Sequence, residues 1–263
     1  DEGELGFEVI VGGGLGRTPV IGKTIRHFLP EKHLLSYLDS ILRVYNLYGR
    51  RDNKYKARIK ILVESMGAEV FAQAVEQDWL QHNKDGDLTL TEAQIAHAKT
   101  FFPLAEYKNF GENDLANQQR ILAKQLAENP EFAKWYKQNT RQHKVAGYHI
   151  VIVSLKHFMQ DTGDITGTQM RVVADLADQY SFGEVRGTHH QNLVLADVKL
   201  TDVYAVWQTL AEYNLARPNI GTLTDIISCP GFDYCSLANA STLNIVNQVN
   251  AYFEDIDYVH DIG

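Results

Sequence analysis

The sequence predicts an α+β protein, and three observations carry that expectation. Apolar residues recur at three- and four-residue spacings over 34–48 and again over 118–128, the period of an amphipathic helix. Residues 7–11 and 149–155 are short runs rich in β-branched side chains, as strands are. Between 145 and 217 the two patterns follow one another as strand, helix, two short strands and helix, a β-α-β-β-α order that makes half of a ferredoxin-like arrangement.

Taken in order, the strand at 7–11 ends in a glycine-rich turn at 12–16. A helix over 34–48 follows, with Leu34, Leu35, Leu38, Ile41, Leu42 and Tyr45 on its apolar face, then a basic run and a second helix over 57–75. Residues 78–144 are polar and helix-rich, punctuated at Asp85-Gly86, Phe102-Pro103, 109–113 and Asn129-Pro130, and are expected to form a helical connector. Within it a Thr-Glu pattern caps a helix over 88–98. The β-α-β-β-α unit follows as a strand at 149–155, a helix at 168–180, two strands within 183–198 and a helix at 202–213. A last helix spans 241–253, so the expected boundaries are 1–77, 78–144, 145–217 and 218–263.

With 263 residues, 44% hydrophobic and 22% charged, the chain is long enough for one or two cores and too mixed for disorder. Its net charge of -8 repels polyanions and argues against nucleic acid. No run of about 18 apolar residues marks a membrane span, and the acidic start is unlike a signal peptide. A cytoplasmic protein is expected. The start lacks Met and the last residues stop inside a folding unit, so the chain reads as an internal piece of a longer one.

Two cysteines, Cys229 and Cys235, flank Pro230-Gly231-Phe232-Asp233-Tyr234. Two thiolates joined by a turn-forming Pro-Gly segment suit one soft metal centre, whereas a cubane cluster needs four ligands. Buried thiols and a short-loop disulfide are the plainer alternatives. Arg50, Arg51, Lys54, Lys56, Arg58 and Lys60 crowd into eleven residues, and Lys54 and Arg58 share a face, with Arg51 less closely, if the run is helical. Such a run is either a solvated helix start or a site for a polyanion. Adjacent His189 and His190 are expected to face opposite sides of a strand, so at most one of them joins the cysteines in a zinc site. The glycines at 12–16 imitate a dinucleotide-binding turn, but Arg17 or Pro19 falls where its third glycine belongs.

The stretch from Ile227 to Ala238, with its Cys-x5-Cys pair followed by Leu237-Ala238, resembles the first half of the cluster signature of the nitrite and sulfite reductase family. In that family a Cys-x3-Cys pair some tens of residues later completes the site, and one of its cysteines bridges the cluster to sirohaem iron. The resemblance extends over essentially the whole chain. Residues 6–19, Phe28-Leu29-Pro30 and 49–60 are similar to the closing part of the family's first repeat, and 172–195 and 206–215 to the ferredoxin-like half-domain of its second. It implies that residues 78–144 connect the two repeats and that 218–263 begin the second cluster-binding domain.

The resemblance further implies a parent that carries out the six-electron reduction of sulfite or nitrite with sirohaem and a [4Fe-4S] cluster, fed by ferredoxin or a flavoprotein reductase. It assigns Cys229 and Cys235 to the metal, and Arg51, Asn53, Lys54, Arg58 and Lys60 to the sirohaem carboxylates. Gln191 and Asn192 follow an Arg-x-Thr-x-x-Gln strand position and are expected to touch the cofactor or the other repeat. There, His190 occupies the place of the first repeat's anion-binding arginine, so substrate binding is not carried over, and because the family's basic substrate-binding residues belong mainly upstream of Asp1 no catalytic residue is assigned to this chain. Alone, these residues are expected to be inactive, to hold neither cofactor and to expose apolar surface that favours self-association. A non-catalytic scaffold with an empty cysteine site, and a zinc-binding protein, are the alternatives.

Overall fold

A computed structural model describes residues 3–15, 18–83, 89–102, 105–157, 160–236 and 238–253. Gly16, Arg17, Asp85-Gly86, Leu88, Pro103, Leu237 and the stretch after Phe253, on which parts of the expectations above fall, lie outside the described residues. The chain divides into two compact units, Asp1–Leu104 and Ala105–Gly263.

In the first unit, β1 (Gly6–Val11) pairs antiparallel with β2 (Lys23–Pro30) as a two-stranded ribbon. The sequence reading missed β2, whose Thr24-Ile25-Arg26-His27 centre lacks a strict apolar alternation because only Leu29 is fully buried. Three helices pack on the ribbon side: α1 (Leu34–Tyr48), α2 (Ile59–Met66) and α3 (Ala68–His82). The expected single helix over 57–75 is broken at Gly67, which sits at φ 90°, ends α2 and opens α3. Helix α1 buries Tyr37, Ile41 and Val44 against Phe71, Val75 and Trp79, while Leu35, Leu38 and Leu42 face outward. The apolar face expected for this helix is therefore rotated, because the wide stripe includes an exposed leucine row. Arg26 closes one side of this core, paired to Glu76 at 2.7 Å and stacked over the rings of Tyr37 and Trp79. Helix α4 (Glu92–Lys99) begins at Thr91, whose side chain accepts from the Gln94 amide in a capping box, the start signalled by the Thr-Glu pattern.

The second unit holds the larger core. Helix α5 (Glu112–Glu128) and α6 (Pro130–Asn139) are separated by Asn129, which caps α6 through its side chain, with Pro130 at the first helical position. They place Leu122, Phe132 and Trp135 in the core of this unit. A four-stranded antiparallel sheet follows in the order β3-β4-β6-β5, with β3 at Thr140–Gln142, β4 at Tyr148–Val153, β5 at Arg186–Gly187 and β6 at Leu193–Lys199. Helix α7 (Gly167–Tyr180) crosses between β4 and β5, and α8 (Val203–Glu212) follows β6, so the β-α-β-β-α order holds, with β3 added at the edge. Val151, Val153, Leu195 and Val198 of the central strands are fully buried against Val173, Leu176, Val206 and Leu210 of these helices. Helix α9 (Thr242–Phe253) packs on the cysteine segment.

Candidate functional site

The cysteines sit on a tight loop that folds back onto the first turn of α9. After Pro230, residues Gly231–Asp233 make one turn of 3-10 helix, and the Cys235 amide donates to the Gly231 carbonyl at 3.0 Å. Gly231 is required there: at φ +59° a Cβ would lie 2.4 Å from Thr242 Oγ1 and 2.7 Å from the Ala240 carbonyl. Cys229 is exposed and Cys235 partly buried, and both are free thiols. The Thr242 hydroxyl sits between two acceptors, 2.7 Å from the Cys229 carbonyl and 3.4 Å from Cys229 Sγ, and its one proton can serve either. That hydroxyl, followed by the backbone amide of Gly231, holds the Cys229 thiol below its usual pKa, which favours the thiolate that binds soft metals.

A buried cation braces the segment leading into this loop. Lys156, which follows β4, has no exposed side-chain surface; its Nζ donates to Asp225 Oδ1 at 2.6 Å, to Asn192 Oδ1 at 2.9 Å and to the His190 carbonyl. Burial pulls its pKa down and the Asp225 carboxylate opposes that shift. Asn192 completes the cluster: Nδ2 donates to Asp225 Oδ1 at 3.2 Å, and Oδ1 also accepts from the Leu155 amide at 3.2 Å. The second Asp225 oxygen accepts from the Gly221 amide at 2.9 Å. Beside it, Gln191 clamps Ser228, accepting from its amide at 3.0 Å and donating to its carbonyl at 2.7 Å. A cavity of about 400 Å³ opens here, lined by Thr162, Thr188, Gln191, Ser228, Pro230 and Tyr234 among others. The buried Thr162 hydroxyl has no hydrogen-bond partner among the described residues.

The basic run belongs to the first unit and is not helical; residues 51–58 form turns, and α2 starts only at Ile59 because Arg58 is extended at φ -140° and ψ 144°. The shared helical face expected for Arg51, Lys54 and Arg58 is therefore absent. Arg51 stacks 4.7 Å over the Tyr45 ring and donates to Asn46 Oδ1 at 3.0 Å. Asn53 Oδ1 accepts from the Tyr55 amide at 2.9 Å, an Asx turn that shapes the segment. Arg58 donates to the carbonyls of Ala57 at 2.9 Å and Lys54 at 3.3 Å, while the Lys54 ammonium lies 5.2 Å from the Tyr55 ring centroid. Lys60 instead reaches across to the glycine-rich turn, donating to the carbonyls of Thr18 at 2.8 Å and Leu15 at 3.2 Å. His189 and His190 lie in the turn between β5 and β6, not in a strand, and their rings touch with centroids 4.0 Å apart. The opposed orientation expected of them is lost because Gln191, at φ 58°, closes a turn at that point.

Two family models match this chain. The nitrite and sulphite reductase 4Fe-4S domain covers residues 1–83 and the nitrite/sulfite reductase ferredoxin-like half domain covers 141–213, together more than half of the sequence. This chain belongs to the nitrite and sulfite reductase family. Among curated members, it is 26% identical to the assimilatory ferredoxin-dependent nitrite reductase of Haloferax mediterranei, over 99% of this chain and 40% of that protein. It is 23% identical to sulfite reductase [ferredoxin] 1 of Mycolicibacterium paratuberculosis, over 96% of this chain and 38% of that protein. A solved structure of Mycobacterium tuberculosis NirA protein shares the fold, with a TM-score of 0.60 at 21% identity, covering 96% of this chain and 39% of the other. The chain thus spans about two fifths of the length of these family members.

Within the reductase family's matched stretches there is no cysteine; Cys229 and Cys235 lie beyond both. Lys156, Asp225, Ser228 and Thr242 were not singled out from the sequence. Lys156 closes an apolar strand run with nothing local to mark its burial, and the residues it meets at 190–192 and 225 are 34 to 69 positions away. Among the described residues no group of three or more His, Cys, Asp or Glu side chains is placed to hold a metal ion, and no helix is long and apolar enough to cross a membrane.

Proposed function

We propose that this chain is part of a cytoplasmic oxidoreductase that reduces sulfite or nitrite, with Cys229 and Cys235 as two ligands of a [4Fe-4S] cluster. The observation that carries this reading is the loop at 229–235, where two free thiols share one tight turn and the exposed one is biased toward thiolate. That donor set fits half of a cubane site. The other two ligands would come from outside residues 1–263, and without them the chain would be inactive. The residues at 1–77 would close the first repeat, 78–144 would link the repeats, 145–217 would form the half-domain of the second, and 218–263 would open its cluster-binding domain. When bound, sirohaem and the cluster supply an iron that holds the anion and a store of single electrons, delivered by ferredoxin or a flavoprotein reductase.

The chain's own residues divide by what their side chains are already doing. Lys54, with Arg51 and Arg58, presents exposed cations suited to sirohaem carboxylates, and Asn53 shapes the turn that carries them. Lys60 holds the glycine-rich turn in place through the carbonyls of Leu15 and Thr18. Gln191 holds Ser228 at the entrance to the cysteine loop and Asn192 holds Asp225 upstream of it, so the side-chain amides of both are engaged within the chain.

The reading is tested by iron and acid-labile sulfide content, with electron paramagnetic resonance of the reduced state, in the longer parent protein and in its Cys229→Ser and Cys235→Ser variants. Each substitution is expected to abolish the intact cluster. A parent that keeps a full cluster in both variants overturns the assignment.

A further inference from the structure

We infer that Lys156 is a positioning residue for Cys229, acting through the turn at 190–192 and the Gln191 clamp on Ser228. This rests on the cluster reading above for its purpose, but its geometry is a property of the chain alone. Cys229 is exposed, and among the described residues its sulfur meets only groups of its own loop and of the first turn of α9, the Gly231 amide and the Thr242 hydroxyl. The direction in which Cys229 points is therefore set by the backbone that delivers it. That backbone is pinned twice just upstream. At Asp225, Lys156 Nζ, Asn192 Nδ2 and the Gly221 amide hold the carboxylate by both oxygens. At Ser228, immediately before the cysteine, both main-chain groups are held by Gln191.

The two pins share one origin. Lys156 Nζ bonds the carboxylate of the first and the His190 carbonyl that precedes Gln191 in the second, with Asn192 Oδ1 as its remaining acceptor. An ammonium has three donors, and all three are committed. The main chain of Lys156 is fixed as well: its carbonyl accepts from Arg217 at 2.7 Å and from Asn219 at 3.3 Å. Gln191 adopts a left-handed backbone at φ 58°, which is what turns its amide toward Ser228 and which the Lys156 bond to His190 helps to hold. A metal ligand on an otherwise exposed loop needs this kind of outer support to present its sulfur in one place.

The test uses the full 263-residue chain, reduced and free of iron, so its outcome does not depend on cluster assembly. Residue-resolved hydrogen exchange at the Ser228 amide and the alkylation rate of Cys229 by iodoacetamide are compared with exchange in β4 and β6. Lys156→Met is expected to raise Ser228 exchange about tenfold and to change Cys229 alkylation, with β4 and β6 still protected. Unchanged Ser228 and Cys229 in a folded Lys156→Met chain overturns the inference. Should that variant unfold, Gln191→Ala and Gln191→Glu decide. The glutamate keeps an acceptor for the Ser228 amide and is expected to restore part of the protection that alanine loses; equal behaviour of the two sinks the proposal. Failure of the cluster reading appears elsewhere, in the iron content of the parent's cysteine variants.

Discussion

His143 meets Asp197 inside the second unit, with Nε2 3.3 Å from Oδ1 and both side chains almost wholly enclosed. The Val145 amide donates to His143 Nδ1 at 2.9 Å, which leaves Nε2 to carry the proton that faces Asp197. The same carboxylate oxygen accepts the Tyr107 hydroxyl at 2.7 Å. One aspartate thus ties the segment entering the second unit to its sheet.

That hydrogen bond to Asp197, with some burial, pushes the Tyr107 pKa up to about 12. The folded chain keeps the phenolic proton at pH values where the unfolded chain has lost it, so the stabilisation is complete below about pH 10 and declines toward 12. Urea unfolding of the second unit should show stability falling over that window. Tyr107→Phe should flatten the slope.

An opposite slope is expected in acid. Burial holds the pKa of both His149 and His157 below the ordinary imidazole value. Their contribution is present above about pH 6.5 and is lost as pH falls through the folded-state values, since the unfolded chain takes up protons first. His149 Nε2 lies 2.7 Å from the Tyr136 hydroxyl, and Nδ1 has no partner among the described residues. His149→Gln should shallow the loss of stability as pH falls below about 6.5, read from urea midpoints.

Gly231→Ala should disorder the cysteine loop without unfolding the unit. A left-handed backbone costs a non-glycine residue about 1–2 kcal/mol, and the added methyl collides with Thr242 Oγ1 and the Ala240 carbonyl. Faster alkylation of both thiols, with an unchanged far-ultraviolet circular dichroism spectrum, is the expected result.

Lys60→Met should release the glycine-rich turn. Two hydrogen bonds from the ammonium to Leu15 and Thr18 are lost, worth about 1 kcal/mol each at a partly exposed site. Limited proteolysis should then cut near residues 14–20 more rapidly than in the parent sequence, with the α1–α3 core protected as before.

Leu35, Leu38 and Leu42 form an outward row at three- and four-residue spacing on α1, at 53%, 40% and 52% exposure. An apolar row of that kind favours association of the chain with itself. Leu38→Glu combined with Leu42→Glu should shift sedimentation toward monomer. Concentration-independent behaviour of the unsubstituted chain would contradict this.

Much of the fold was legible where one face of an element is buried and the other wet. Helix α1 has the extent its periodicity indicates, and α7, α8 and α9 begin and end within about two residues of their patterns. What was not legible has identifiable causes. Strand β2 has too little buried surface to alternate, and Gly67 interrupts a helix whose apolar spacing continues across the break. The extended Arg58 cancels a helical face that charge spacing alone suggested. The cysteine pair was visible as a motif, yet its support was not, because Lys156, Asn192 and Asp225 converge through tertiary contacts that no local pattern encodes.

Thr140 ends α6 and begins β3, and its hydroxyl donates back to the Tyr136 carbonyl at 2.8 Å. Helix, edge strand and the turn into β4 are thereby one stretch of short-range contacts, whereas β4 meets β6 only after some forty intervening residues have been ordered. Forming the α6-β3-β4 segment closes only short loops, whereas the pairing with β6, which carries the turn at 190–192, closes a long one. The part of the molecule that supports the thiols thus depends on the contacts whose loops are entropically costliest to close.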